Sequence, residues 1–230
     1  SSRGYALTAE TDLRVVFALC SEDPELVRLE LAPPAAVHVF DGPLPKQALT
    51  RASLTFGRPR LPPLFAFSPW LDAIYGSENV RRVALKLREQ GVPSSVIWTE
   101  DWRGATWKGD NYVLEEEWEL DRSLYPDFED LADDLHAWGF KFLVYFNTFV
   151  YEKTRAWEET APGGLLIKDD QGKPYTFTGH KFEKSSLIDL SNPAGRAWAV
   201  AKLRAALELG ADGWMGDFAE WMPTDCQTSV

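Results

Sequence analysis

The stretch "NPAGRAWAVAKLRAALELGADGWMGDF", Asn192 to Phe218, decides the fold. It opens with Asn-Pro, a helix cap followed by a residue preset for the first turn. Val200, Leu203 and Leu207 then share one helical face, and Gly210 stands where a left-handed residue closes a helix. A short apolar run and a carboxylate, Asp217, follow. The same order of helix, glycine, strand and acid or amide occurs twice more upstream. "NVRRVALKLREQG" leads to "VPSSVIWTED", with Val80, Val83, Ala84 and Leu87 as the stripe and Gly91 as the stop. "DFEDLADDLHAWG" leads to "FKFLVYFN", with Leu131, Leu135 and Trp138 as the stripe, Gly139 as the stop and Asp127 as the expected cap. Ahead of the first helix, "LFAFSPW" (Leu64 to Trp70) is expected to be a strand.

Strands that alternate with helices form parallel units joined by right-handed crossovers. The strands here are near-continuous apolar runs, as strands covered on both faces should be. Glu100-Asp101, Asn147 and Asp217 all fall at carboxyl ends, the rim where a (β/α)8 barrel builds its active site. A doubly wound sheet also gathers polar groups there, but it carries a glycine-rich turn after its first strand, and "SPWLDAIYGSEN" is not one. The expected fold class is therefore α/β. Residues 61–230 make the first half of a (β/α)8 barrel, strands 1–4.

Residues 1–60 read differently. "LRVVFAL", "LVRLEL", "AAVHVF" and "ASLTF" are short, rich in β-formers and separated by Pro/Gly turns, which predicts antiparallel strands. In "LVRLEL", Val27, Leu29 and Leu31 share one side. His38 lies within such a strand as a packed or edge residue, and "GRPRLPP" reads as a linker.

Composition narrows the function. The 230 residues carry a formal charge of −11, which opposes binding to nucleic acid or an anionic membrane surface. No apolar run approaches the roughly 20 residues that span a bilayer. Cys20 and Cys226 match no metal or redox spacing and read as free thiols. The opening "SSRGYALT" has neither an initiator Met nor a signal-peptide core, so a processed product or a piece of a longer protein is expected.

Paired carboxylates on such a rim suit glycoside hydrolysis, metal binding or plain solvation. Glycoside hydrolysis needs one carboxylate to meet the charge developing at the anomeric carbon and a second, protonated one to release the leaving oxygen. A divalent metal would want further acids or histidines in register, whereas His136 sits mid-helix and His180 in a long loop.

"GADGWMGDFAEWMPTD" resembles the nucleophile segment of glycoside hydrolase family 31, the α-glucosidase-like family, nearest its sulfoquinovosidase branch. "LIDLSNPAGRAWAVAKL", "FKFLVYFNTFV" and "VIWTEDW" are similar to its preceding segments, and "FAFSPWLDAIYGSENV" is a weaker match. The resemblance covers roughly residues 61–225 and implies that residues 1–60 end an N-terminal antiparallel β-sandwich domain. It implies a retaining exo-α-glycosidase with a carbohydrate substrate and no cofactor, Asp217 being the nucleophile. It implies that Asp101, Glu100, Trp98, Asn147 and Glu220 bind substrate or line the site; Trp214 and Trp102 each belong either to the substrate-binding pocket or to the core. The acid/base of the family lies downstream, so the chain is expected to be a fragment, inactive alone. Sulfoquinovosidases carry Gln where Glu100 stands, then an Arg-x-x-Trp; "GATWKGDNYVLEEEWEL" (Gly104–Leu120) contains no arginine, only Lys108. A neutral sugar is expected instead. The alternatives are a non-catalytic carbohydrate-binding barrel and a metal-dependent barrel enzyme.

Overall fold

A computed structural model of the chain describes residues 4–11, 13–179, 183–218 and 220–229. His180 lies outside the described residues. The chain divides into two compact units, Ser1–Pro62 and Pro63–Val230.

The first unit holds β1 (Tyr5–Glu10), β2 (Val15–Leu19), β3 (Val27–Leu31), β4 (Ala36–Asp41) and α1 (Pro45–Phe56). β1 pairs antiparallel with β4, and β2 with β3. Along β3, Val27, Leu29 and Leu31 are half-buried while Arg28 and Glu30 are exposed, the expected alternation. "ASLTF" is not a strand: Ala52–Phe56 is the end of α1. Pro45 starts that helix, and the Gln47 side chain accepts from the Leu44 N–H at 3.1 Å, so local capping outweighs the β propensity of the run. Ala48 is its buried contact.

The second unit contains β5 (Trp70–Asp72), α2 (Gly76–Glu89), β6 (Val96–Thr99), the hairpin β7 (Ala105–Lys108) and β8 (Asn111–Leu114), α3 (Phe128–Ala137) and β9 (Lys141–Phe146). It continues with β10 (Phe149–Tyr151), α4 (Arg155–Thr160), β11 (Ser185–Leu187), α5 (Pro193–Glu208) and β12 (Gly213–Gly216). Its main sheet is parallel and ordered β5, β6, β9, β12. Spatial order follows chain order without reversal, so there is no switch point of the doubly wound kind.

The first strand starts later than expected. Leu64–Phe67 forms a 3-10 turn, closed by Ala66 N–H to Pro63 and Ser68 N–H to Phe65. Pro69 has no N–H to give a ladder, so pairing begins at Trp70. The strand therefore ends on Asp72.

Helix signals translate well at four ends and fail at one. Asn192 caps α5 by accepting from Ala194 N–H, and Gly91, Gly139 and Gly210 take φ of 64, 79 and 107°. Asp127 occupies the cap position of α3 but makes no cap bond; its Oδ2 accepts from Arg81 Nη1 at 2.6 Å. A charged partner on α2 outcompetes a neutral backbone N–H. Val80 and Ala84 of α2 and Leu131 and Leu135 of α3 pack with Ile97, Phe142 and Val144. Each large apolar side chain so buried contributes about 1.5–3 kcal/mol. β9 is buried from Phe142 onward, whereas β5 and β12, at the sheet edges, stay half-open.

Candidate functional site

Strand alternation decides which rim groups meet. Through the register, Asp72 pairs with Trp98, Trp98 with Leu143, and Leu143 with Gly213; two residues further, Tyr145 pairs with Met215. Side chains two apart share a face. Asp72, Trp98 and Tyr145 therefore line one face, with Glu100 two residues beyond Trp98 and Asp217 two beyond Met215. Trp214 pairs with Val144, in the opposite row. Alternation turns it away from the Asp217 side, and its exposure of 38% keeps it out of the core as well.

Asp217 follows β12, its N–H bound to Phe146 O at 2.9 Å. Its Oδ2 accepts from the Tyr145 hydroxyl at 3.0 Å and its Oδ1 from the Phe218 N–H at 3.1 Å. Phe218 takes φ of 48°, a left-handed conformation that costs a non-glycine residue about 1–3 kcal/mol and concentrates at functional sites. Thr148 Oγ1 donates to Phe218 O at 3.0 Å and holds the turn. Glu220 is exposed, three residues on.

Asp101 is at the rim but fully enclosed. Its Oδ2 accepts from Tyr75 N–H at 2.7 Å and Tyr112 hydroxyl at 2.5 Å; its Oδ1 accepts from Thr99 at 2.8 Å and from Tyr125. Four donors leave this carboxylate no free face, so the direct sugar contact expected of it gives way to bracing. It ties the β7–β8 hairpin to the left-handed turn at Tyr75, φ 73°. Tyr75 in turn stacks on Trp107, 6.0 Å between centroids. Trp102 is core: its Nε1 donates to Tyr145 O at 2.8 Å. Trp98 is half-buried and stacks on Tyr145, 6.0 Å between centroids.

Glu100 is half-buried, and burial pushes its carboxyl up to about 7, aided by the charges of Asp72, Glu116, Asp101 and Asp217. Asp72, wet at its outer edge but set within the rim, is pushed up to about 6 by burial and then by Asp101. Sequence reasoning missed Asp72 because it placed the first strand too early; alternation from Trp98 would have found it. A carboxyl raised in the fold binds extra protons there, so stability falls as pH rises from the unfolded value, 4.5 for Glu100, to the folded value near 7. Acids held low in the fold, such as Glu129 at about 2, are ionised in both states above pH ~5 and contribute no slope in that window. The thermal midpoint is therefore expected to fall from pH 5 to pH 8 less steeply in Glu100→Gln than in the parent, measured by calorimetry.

Behind this rim lies a buried ion pair that sequence reasoning also missed. Arg103 stands one residue before the arginine-free stretch Gly104–Leu120. Arg103 Nη2 donates to Glu116 Oε2, with the two side chains 1% and 6% exposed. Asn147, buried after β9, donates from Nδ2 to Glu116 Oε1 at 3.0 Å and accepts the Phe149 N–H at 3.1 Å. Arg103 Nε and Nη1 have no partner among the described residues, a desolvation cost of about 1–3 kcal/mol each. Lys108 pairs with Glu183 at the surface. Cys20 and Cys226 are free thiols. Among the described residues no group of three or more His, Cys, Asp or Glu is arranged to hold a metal ion, and no helix is long and apolar enough to cross a membrane.

Comparison with known proteins places this geometry. Residues 59–229 match the glycosyl hydrolases family 31 TIM-barrel domain. The chain is 27% identical to the α-xylosidase XylQ of Lactiplantibacillus pentosus, over 98% of this chain and 29% of that protein. It is 30% identical to the sulfoquinovosidase of Escherichia coli K12, over 77% of this chain and 26% of that protein. The chain thus spans under a third of these relatives. Two solved structures share the fold: a family 31 sulfoquinovosidase from E. rectale in complex with an aza-sugar inhibitor (TM-score 0.81, 24% identity, 97% of this chain and 33% of that one) and the Flavobacterium johnsoniae dextranase FjDex31A complexed with glucose (TM-score 0.83, 19% identity, 98% and 28%). The chain belongs to glycosyl hydrolase family 31.

Proposed function

We propose that residues 61–230 are the first four strands of the (β/α)8 barrel of a retaining exo-α-glycosidase, and that residues 1–60 end an antiparallel β-sandwich domain. Two features support the half-barrel: the sheet runs in chain order, and its two edge strands remain half-open where further strands would pair. Asp217 is the nucleophile. The observation that carries this is its carboxylate, exposed at a strand's carboxyl end yet oriented through both oxygens by Tyr145 and Phe218.

Two steps follow. Asp217, ionised, attacks the anomeric carbon as the glycosidic bond breaks, giving a glycosyl ester; water then releases the sugar with net retention. The acid that protonates the leaving oxygen, about 5–5.5 Å from the nucleophile in such enzymes, comes from a part of the full-length protein outside these residues. The 230-residue chain alone is expected to show no turnover. Trp98 supplies a flat apolar wall, Glu100 and Asp72 bond sugar hydroxyls, and Asn147 backs the wall from behind. Glu220 lines the outer edge.

The substrate is a neutral terminal α-linked hexose or pentose. Glu100 and Asp72 present an acidic rim, Arg103 is occupied by Glu116, and Lys108 by Glu183. A sulfonate would meet repulsion without a partner, at about 2–5 kcal/mol. In the full-length protein, kcat/KM for an α-xyloside or α-glucoside is expected to exceed that for a sulfoquinovoside by roughly 30-fold or more. A preference for the sulfonated sugar would overturn the recognition assignment, and no hydrolysis of any α-glycoside would favour a non-catalytic carbohydrate-binding barrel.

A further inference from the structure

We infer that Tyr145 is the positioning residue for the Asp217 carboxylate, and that the buried Arg103–Glu116 ion pair, its guanidinium set against the Tyr145 ring, holds Tyr145 in register. This rests on the reading of Asp217 as nucleophile and adds to it the device that aims it. Arg103 donates to Glu116, and Asn147 donates to the other oxygen of the same carboxylate. The Tyr145 hydroxyl donates to Asp217 Oδ2 at 3.0 Å. Tyr145 is 2% exposed. Its ring is gripped by Trp98 at 6.0 Å and lies 5.7 Å from the Arg103 guanidinium carbon. Its backbone carbonyl takes the Trp102 indole N–H. The phenol is thus fixed at the ring, at the main chain and at the hydroxyl.

Chemistry agrees with that geometry. Burial drives the Tyr145 hydroxyl well above its ordinary range, so it stays a proton-bearing donor at any working pH. A donor held on one carboxylate oxygen limits the rotation of Asp217. The orphaned nitrogens of Arg103 are what a structure carries when an ion pair is kept for placement rather than for stability. The charged groups acting around this carboxylate are Glu100, itself coupled to Asp72 and Asp101, and Glu116 with Arg103 behind Tyr145. None of them changes in the variants below.

The experiment uses the full-length protein, an α-glycoside substrate and a fluorinated glycosyl inactivator. In Tyr145→Phe, kcat and the rate of inactivation should both fall roughly tenfold or more, with KM within about twofold. 3-Fluorotyrosine at position 145, a stronger donor of the same shape, should change kcat by roughly twofold or more with KM unchanged. It also decides the matter if Tyr145→Phe does not fold. Values of kcat that coincide with the parent's, with the inactivator still bonded to Asp217, overturn this inference and leave the proposed function standing. An adduct on another residue overturns both.

Discussion

Replacing Asp217 with alanine in the full-length protein is expected to lower kcat by roughly 10⁴-fold or more, the scale seen when a nucleophile or its partner is removed. Of the neighbouring rim acids, Glu100 is about half protonated at pH 7 and Asp101 is enclosed by four donors, so neither is placed to take over. The fold should survive. Asp217 is exposed and contributes two hydrogen bonds rather than packing, so the thermal midpoint should stay within a few degrees of the parent's. Steady-state kinetics and a calorimetric scan of the same preparation check both halves. A variant that retains more than a tenth of the parent's kcat would remove Asp217 from the chemistry.

The second large effect is on stability. Arg103→Met leaves Glu116 charged, buried and without its partner, which costs about 3–5 kcal/mol. For a unit of this size that lowers the thermal midpoint by roughly 6–20 °C. Adding Glu116→Leu to Arg103→Met removes the stranded charge and should recover most of the loss, since apolar groups of similar volume often replace a buried pair without penalty. Activity should not recover with it, because no guanidinium then backs the Tyr145 ring that aims Asp217. A double variant as unstable as the single one would show that the loss comes from packing against Tyr145 and Phe146 and not from charge.

Much of this was legible in the residues. Three helix–glycine–strand units, their apolar stripes and the acids or amides that end their strands needed only periodicity and cap chemistry, and those are local properties. What sequence missed was long-range. Leu64–Phe67 has the composition of a strand, but Pro69 and the turn around Phe65 delay pairing to Trp70, which brings Asp72 to the rim. Ala52–Phe56 reads as β-forming, yet Pro45 and Gln47 start a helix upstream that runs through it. Asp101 looked like a pocket acid because it follows a strand; Tyr112 and Tyr125, 11 and 24 residues on, enclose it. Arg103 with Glu116 and Tyr145 with Asp217 are pairs that only the folded chain brings together. Asp217 itself was found because its segment resembles a known one, while its two donors became visible only with coordinates.

Asp217 is expected to form the covalent glycosyl intermediate. The direct measurement is to inactivate the full-length protein with a fluorinated α-glycosyl donor, digest it, and sequence by mass spectrometry the peptide that begins after Arg204. One added sugar is expected on Asp217, with fragment ions that exclude Glu220. An adduct on Glu220, or full turnover of substrate with no adduct at any carboxylate, would contradict it.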